Sequence, residues 1–401
     1  WVRDLGSEHM KILYLTPRFP YPPDRGDKLK EFNLIKYLSK NNSISLLSFA
    51  EKKEEDFITY LKDYCEKVHI IPRSKYEGYL KAIFSLFTFQ PLQVAYYWSR
   101  RMKNLFEDLR EKENYDVVLV QLIRMAPYLS KYLGKKVLAI EDAISLVLRR
   151  RYQRNYGLQR LVWYLEYLKV RRFERKMLDE FDFFTVVSKR DKEVFKGHSG
   201  YDRIFAIPNG VDIDYFGYRS PSTENNNLVF VGNMSVPHNI DAVTFFTNQI
   251  FPLIKREMPQ VKFYIVGANP HKKVRNLANN RDIFVTGFVE DFRPYLYNAA
   301  CFVCPLRFGA GIQNKILEAM ACGTPVVTTT IGAEGIDAAT DDAILIEDDP
   351  KDFASGVLDL ISDFEGRKNI SVKARGIIER NYSWSETVNQ LEKLLFKVCH
   401  T

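Results

Sequence analysis

Short apolar runs, set off by glycine, proline and polar stretches, recur along the whole chain. Residues 11–16, 43–49, 67–71, 115–121, 136–140 and 183–187 form a first series, and 228–232, 262–266, 283–285, 301–304, 326–329 and 343–346 a second. Most are near-continuous rather than alternating, as strands covered on both faces of a parallel sheet should be. Segments of helical period separate them: 28–40 carries Leu29, Phe32, Leu34, Ile35 and Leu38 at that spacing. Alternating strands and helices predict an α/β fold with two doubly wound parallel sheets in tandem. A chain of 401 residues is long enough for each to bury its own core. Ile207-Pro208-Asn209-Gly210 reads as a turn near the boundary, which divides a first domain, 10–200, from a second, 201–382.

The densest chemistry lies in 308–327. The strand 301–304 is followed by Phe308-Gly309-Ala310-Gly311, then by a helical pattern over 313–322 closed by Gly323 and Pro325. A glycine-rich turn feeding a helix presents unpaired N–H groups and the positive end of the helix dipole, which suits a phosphate. Lys315 adds a full charge in the first turn. Glu318 lies roughly one turn further in, about 5–7 Å along the axis, where a carboxylate can accept hydrogen bonds from a ribose attached to that phosphate. The plainer alternative is a crossover helix with Glu318 merely solvated. Asp142 directly follows the apolar run 136–140 and points to a second site, because ligands gather at the carboxyl ends of such strands; a capping or arginine-paired role remains open for it.

Glu318-Ala319-Met320-Ala321-Cys322-Gly323-Thr324-Pro325-Val326 resembles the second half of the donor motif of family 4 glycosyltransferases with the GT-B fold, usually written E-x7-E followed by A-x-A-x-G-x-P-V. The first glutamate is missing: Ala310 stands in its place, so recognition of the transferred sugar must be partly rebuilt. Ile207-Pro208-Asn209-Gly210-Val211-Asp212 resembles the opening of the second domain in the same enzymes. Pro22-Pro23-Asp24-Arg25-Gly26-Asp27-Lys28 is similar to a bacterial sugar transferase subgroup associated with exopolysaccharide and exosortase loci. The resemblance covers 11–397 and implies two Rossmann-like domains facing across a cleft, the first binding acceptor and the second a nucleoside-diphosphate sugar. It also implies that a terminal helix, about 383–398, returns to the first domain. Transfer to a hydroxyl of a cell-surface or extracellular glycan precursor, with retention of configuration, would follow, with no metal and no cofactor.

Carried over position by position, the resemblance implies donor binding by Gly26, Asn233, Phe288, Val289, Gly309, Gly311, Gln313, Asn314 and Glu318. Phe288 and Val289 fall in a loop whose backbone reads the base, although a simple strand end explains them equally well. Related enzymes often carry Gly-Arg and a nearby lysine to neutralise the diphosphate; here Gly232-Asn233 and Pro237-His238-Asn239 occupy that region. Arg307 and Lys315, flanking the glycine turn, are the residues expected to supply the charge, and with Asp142 they make up the candidate catalytic set. A non-catalytic nucleotide-binding or partner subunit is the second reading of the same departures.

Charge changes the picture in one region. Between Arg149 and Lys176 stand ten Lys or Arg and two Glu, a surplus equal to the net +8 of the whole chain. Tyr152, Tyr156, Trp163, Tyr164, Tyr167 and Phe173 are interleaved with them. Basic helices with aromatics suit an anionic membrane surface; a solvated helix and a nucleic-acid surface are the alternatives, and nucleic acid is not expected as a partner. The uncharged stretch 82–99 is broken by Gln90, Pro91 and Gln93, too short in either half to span a bilayer. It reads as two packed segments, their aromatics in the core or lining an acceptor groove. Any membrane contact is therefore expected to be peripheral, at the inner face, with the protein cytoplasmic. Residues 1–9 read as extraneous to a native start at Met10, and no secretory signal follows. Five cysteines without a framework fit a reducing compartment, and Cys301-x-x-Cys304 reads as buried thiols.

Overall fold

The computed structural model describes residues 9–23, 26–223, 226–309, 311–336 and 342–401. It divides into two units, one running to Pro208 and including Thr387–Thr401, the other comprising Asn209–Glu386. The first contains a seven-stranded parallel sheet made of β1 (Lys11–Thr16), β2 (Ser43–Ala50), β3 (Lys67–Pro72), β4 (Val117–Gln121), β5 (Lys136–Ala139), β6 (Phe183–Val186) and β7 (Ile204–Ala206). Their order is β3-β2-β1-β4-β5-β6-β7. Ile12 to Leu15 and Val117 to Val120 are wholly buried, because helices cover both faces of the central strands. β7 is too short to show a period in the sequence. Its pairing with β6 carries the first sheet past the expected boundary at 200 and 201 to Ala206, and the first unit runs to Pro208.

The second unit holds six parallel strands: β8 (Asn227–Val231), β9 (Phe263–Val266), β10 (Ile283–Gly287), β11 (Ala299–Cys304), β12 (Val326–Thr328) and β13 (Leu345–Ile346). The order β10-β9-β8-β11-β12-β13 reverses between β8 and β11, as the first sheet reverses between β1 and β4. Loops leaving the carboxyl ends of strands part at such a switch point and leave a crevice for ligands. Cys301 and Cys304 are buried within β11, their thiols pushed up to about 12 and about 11 by burial.

Two elements depart from their sequence expectation. The Gly26–Leu38 helix buries Lys28, Lys30, Glu31 and Asn33 beside Leu34, Ile35 and Leu38. Lys28 is held by an ion pair to Glu54 at 2.6 Å, so charge rather than apolar surface fills the space under its first turns. The stretch 82–99 is not core throughout. It contributes to two helices, Lys75–Ser85 and Leu92–Tyr97. Val94, Ala95 and Tyr97 are buried, whereas Phe84, Phe87 and Phe89 are 70%, 87% and 85% exposed. The first helix turns its small residues inward: Gly78 meets Tyr96 so closely that a Cβ would lie 2.7 Å from the ring. The bulky stripe is thereby left outside.

The Trp384–Cys399 helix closes the chain. From Thr387 onward it belongs to the first unit, where the Asn42 amide donates to Glu392 at 2.6 Å. Among the described residues no helix is long and apolar enough to cross a membrane.

In the second unit the loops after β8 and β9 touch. Gly267 adopts φ +145, and a Cβ there would stand 1.8 Å from the Gly232 carbonyl oxygen. No L side chain fits without moving one loop. Gly267→Ala should therefore destabilise this unit by at least about 1–3 kcal/mol, read as a lowered urea midpoint. A midpoint equal to that of the native protein would refute the close approach.

Candidate functional site

The helix Asn314–Cys322 begins just after the switch-point strand β11. Gln313 stands at its N-cap, buried, and Gly323 ends it at φ +82, with Thr324 and Gly323 donating back to Ala319 and Met320. These crossed bonds satisfy the last carbonyls. At the other end, N–H groups of the first turn have no partner inside the helix. Gly311, at φ +72, and Gly309, at φ +155, bring the chain into it. Ala310 lies outside the described residues.

Lys315 bends toward the loop after β8. Its ammonium donates to the Asn239 amide oxygen and sits 4.8 Å from the centre of the Phe230 ring. The Asn239 amide nitrogen in turn donates to the Asn233 carbonyl at 3.0 Å. Asn233 accepts from Ser235 through its own side chain, which fixes the turn. A chain of hydrogen bonds thus ties the helix start to the β8 loop across the switch point. Burial lowers the Lys315 pKa, opposed by Cys304 and Glu318. Glu318 is half-buried and raised to about 7, by burial first, with Lys315 pulling it down. The two charges on one face of the helix partly compensate each other's desolvation.

Arg307 is placed differently. Its guanidinium makes a two-pronged contact with Asp241, at 2.9 and 2.5 Å, and lies 4.5 Å from the Phe245 ring. Asp241 belongs to the helix Pro237–Phe245, which also carries Asn239. Arg307 therefore has its charge matched by a carboxylate, whereas among the described residues Lys315 meets a neutral amide at hydrogen-bond range.

Asn314 accepts from Asn209 at 3.2 Å, and the Asn209 amide oxygen is buried without a hydrogen-bond partner among the described residues. Phe288 and Val289 leave the end of β10, the outermost strand, with Phe288 77% exposed. Among the described residues no hydrogen bond joins these two to the helix start.

His238 is a residue the sequence did not single out. It opens the Pro237–Phe245 helix, edge-on to Phe308, and its pKa is lowered to about 4 by burial and by Lys315. The imidazole is neutral at ordinary pH. Its signal in the sequence is indirect: it stands in the region where related enzymes often carry a lysine.

The first unit has its own polar centre at the carboxyl ends of β1, β4 and β5. Tyr14 donates to Gln121 at 3.0 Å, and Gln121 donates to Glu141 at 3.2 Å. Both carboxylate oxygens of Glu31 are buried without a hydrogen-bond partner among the described residues, and so is Nε of Arg124. Burial, and then the charge of Glu141, push the Glu31 carboxyl well up, against Arg124, Arg18 and Lys28. Asp142 is half-buried beside Glu141, within electrostatic reach of the buried Lys30. Leu122, at the turn that leads from β4 to Arg124, holds φ +66, a conformation that costs a non-glycine residue energy. Gly26 opens the helix that carries Glu31 and has open space where a Cβ would be. Among the described residues no cluster of His, Cys, Asp or Glu has the grouping to hold a metal ion.

Residues 225–363 match the family model described as Glycosyl transferases group 1. A protein in the cps region of Klebsiella pneumoniae is 23% identical over 399 residues, covering 96% of this chain and 99% of that one. A phosphatidyl-myo-inositol mannosyltransferase of Propionibacterium freudenreichii is 23% identical over 219 residues, 52% of this chain and 55% of the relative. Among solved structures, HepE of Anabaena in complex with UDP and glucose aligns with TM-score 0.65 and 16% identity, over 97% of this chain and 100% of that one.

The Glu318 environment has a measurable signature. An unfolded glutamate ionises near pH 4.3 and this folded one near 7, so its protonation favours the folded state at low pH. That contribution is lost as pH rises from about 4.3 to about 7. Glu318→Gln removes the titration. The stability of the variant relative to the native protein should climb through this window and level off above it. Urea unfolding at stepped pH measures the difference, and a flat difference would mean the carboxyl is ordinarily solvated.

Proposed function

We propose that this group 1 glycosyltransferase moves a sugar, with retention of configuration, from a nucleoside-diphosphate sugar to a hydroxyl of a cell-surface or extracellular glycan precursor at an anionic membrane surface. Its fold is GT-B, two parallel α/β sheets of seven and six strands. The observation that carries the reading is the pair Lys315 and Glu318 on a helix that starts at the switch point of the second sheet. A diphosphate at that helix start would meet the N–H groups of the first turn and the Lys315 ammonium. Both stabilise the charge that grows on the leaving group as its bond to the sugar breaks. Glu318, one turn further in, accepts ribose hydroxyls, while Asn233, Gly309, Gly311, Gln313 and Asn314 shape the phosphate end. Phe288 and Val289 face the base. Arg307 serves as a secondary cation, once a phosphate competes with Asp241 for it.

Likeness to HepE, solved with UDP and glucose, supports the donor class. The relative in a cps region supports polysaccharide synthesis, and the mannosyltransferase, whose name includes a phosphatidylinositol, supports an acceptor carried by lipid. On the acceptor side, Asp142 orients or deprotonates the attacking hydroxyl. Glu141 and Glu31 supply hydrogen bonds to its neighbours.

Glu318→Ala should weaken binding of the free nucleoside diphosphate roughly 10- to 150-fold, the loss of a charge-assisted hydrogen bond of about 1.5–3 kcal/mol, with the fold intact. Calorimetric titration of UDP and GDP into both forms decides it, and equal affinity would remove Glu318 from the site.

Lys315→Ala should lower kcat more than it weakens donor binding, because its charge matters most in the transition state. Arg307→Ala should show a smaller version of the same effect. Steady-state kinetics of sugar transfer, or of donor hydrolysis, give the comparison. An unchanged kcat in both variants would contradict the assignment of leaving-group stabilisation to these cations.

A further inference from the structure

Two helical stretches far apart in sequence turn apolar stripes outward and meet. On Lys75–Ser85 the stripe is Tyr76, Tyr79, Leu80, Ile83 and Phe84, and it continues into Phe87 and Phe89. This is the spacing that normally faces a core, yet here every member is exposed. On the helix Gly157–Glu180 the stripe is Leu158, Leu161, Val162, Leu165 and Leu168, also exposed. The loop between the first helix and Leu92–Tyr97 is fastened to the second stretch at three points. Lys169 donates to the Ser85 carbonyl at 2.8 Å, Glu166 accepts from the Leu92 N–H at 2.8 Å, and the Arg172 guanidinium lies 5.9 Å from the Phe89 ring. The stripes are therefore parts of one surface. Phe84, Phe87 and Phe89 alone present about 400–500 Å² of it, already as much as the largest apolar patch of an ordinary monomer.

Exposed charge between Arg149 and Lys176 has one sign, and on the first helix the exposed Glu77 is paired with Lys81 at 3.8 Å. The two acids between Arg149 and Lys176 are both buried, Glu166 accepting from Leu92 and Glu174 from the Ser145 N–H. Arg149, Arg151, Arg154, Arg160, Arg171 and Arg172 remain exposed. A second copy of this chain would bring the same positive rim against itself. An anionic bilayer would match the rim and take up the rings.

We propose that this surface is a lipid-docking face: the phenylalanines of the 84–89 segment and the leucines of the Gly157–Glu180 helix enter the headgroup boundary, and the arginines lie at the phosphates of anionic lipids. The inference rests on the reading that the acceptor is carried at a membrane, and it adds that attachment is by insertion as well as by charge. The two contributions separate, since attraction to anionic lipid falls as salt shortens the Debye length and burial of apolar side chains does not.

The test is co-sedimentation of the full chain with phosphatidylcholine vesicles and with vesicles that also contain phosphatidylglycerol, across a salt series. Three proteins are compared: native, Phe84→Ser with Phe87→Ser and Phe89→Ser, and Arg149→Gln with Arg151→Gln, Arg154→Gln and Arg160→Gln. Native protein should prefer the anionic vesicles. The phenylalanine variant should lose roughly tenfold in partitioning for each ring withdrawn, at low and high salt alike. The arginine variant should lose its preference for phosphatidylglycerol and most of its salt dependence. No anionic preference in the native protein, or a phenylalanine variant that binds as the native does, overturns the proposal. So does a native dimer by analytical ultracentrifugation that the phenylalanine variant cannot form. Thermal stabilisation by UDP or GDP is recorded for all three proteins. Its absence in the native protein would count against the transferase reading and leave the vesicle result standing.

Discussion

The arrangement of the second unit follows from the difficulty of keeping a lysine out of water. The Lys315 ammonium is drawn into a pocket floored by the Phe230 ring, and its hydrogen-bond partner there is a neutral amide. Desolvation of an unpaired cation is costly, so the surroundings must return part of it. Glu318 does so electrostatically from one turn away, and Asn239 does so by a bond that is itself anchored on the Asn233 carbonyl. The close contact of Gly232 with Gly267 keeps that loop from drifting. On the proposed reading, a bound diphosphate supplies the countercharge that the neutral amide does not.

The two units solve the problem of a polar site in opposite ways. In the second, positive groups gather at a helix start and a neutral histidine stands among them, lowered to about 4 so that it adds no charge. In the first, carboxyl groups gather at strand ends, and Glu31 is pushed up by burial and by Glu141. On the proposed reading, the second centre takes the leaving phosphate and the first the attacking alcohol.

The strands were legible because parallel sheets bury both faces: β1 and the start of β2 fall where the apolar runs place them. β7 was not, since three residues carry no period. The helix start at Asn314 could be read from glycines and charge alone. What could not be read was partnership. Arg307 and Lys315 look alike in the sequence, yet one faces Asp241 and the other Asn239, because the single helix Pro237–Phe245 offers both. Glu31 escaped notice since a charged residue inside a helical pattern is ordinarily assigned to its solvated side. The 82–99 stretch misled for the converse reason: apolar periodicity says which residues share a face, and says nothing of whether protein covers that face.

The cysteines described within the two sheets' surroundings have one more use. Cys65 lies in the first unit, and Cys301, Cys304 and Cys322 lie in the second; all four are buried, with thiols pushed up to about 12, 12, 11 and 12. A protonated, covered thiol is inert toward alkylating reagents until the chain around it opens. Peptide-resolved alkylation would therefore clock the breathing of each unit separately in the unmodified protein. Opening of the β11 strand would be timed by residues that sit immediately before the glycine turn.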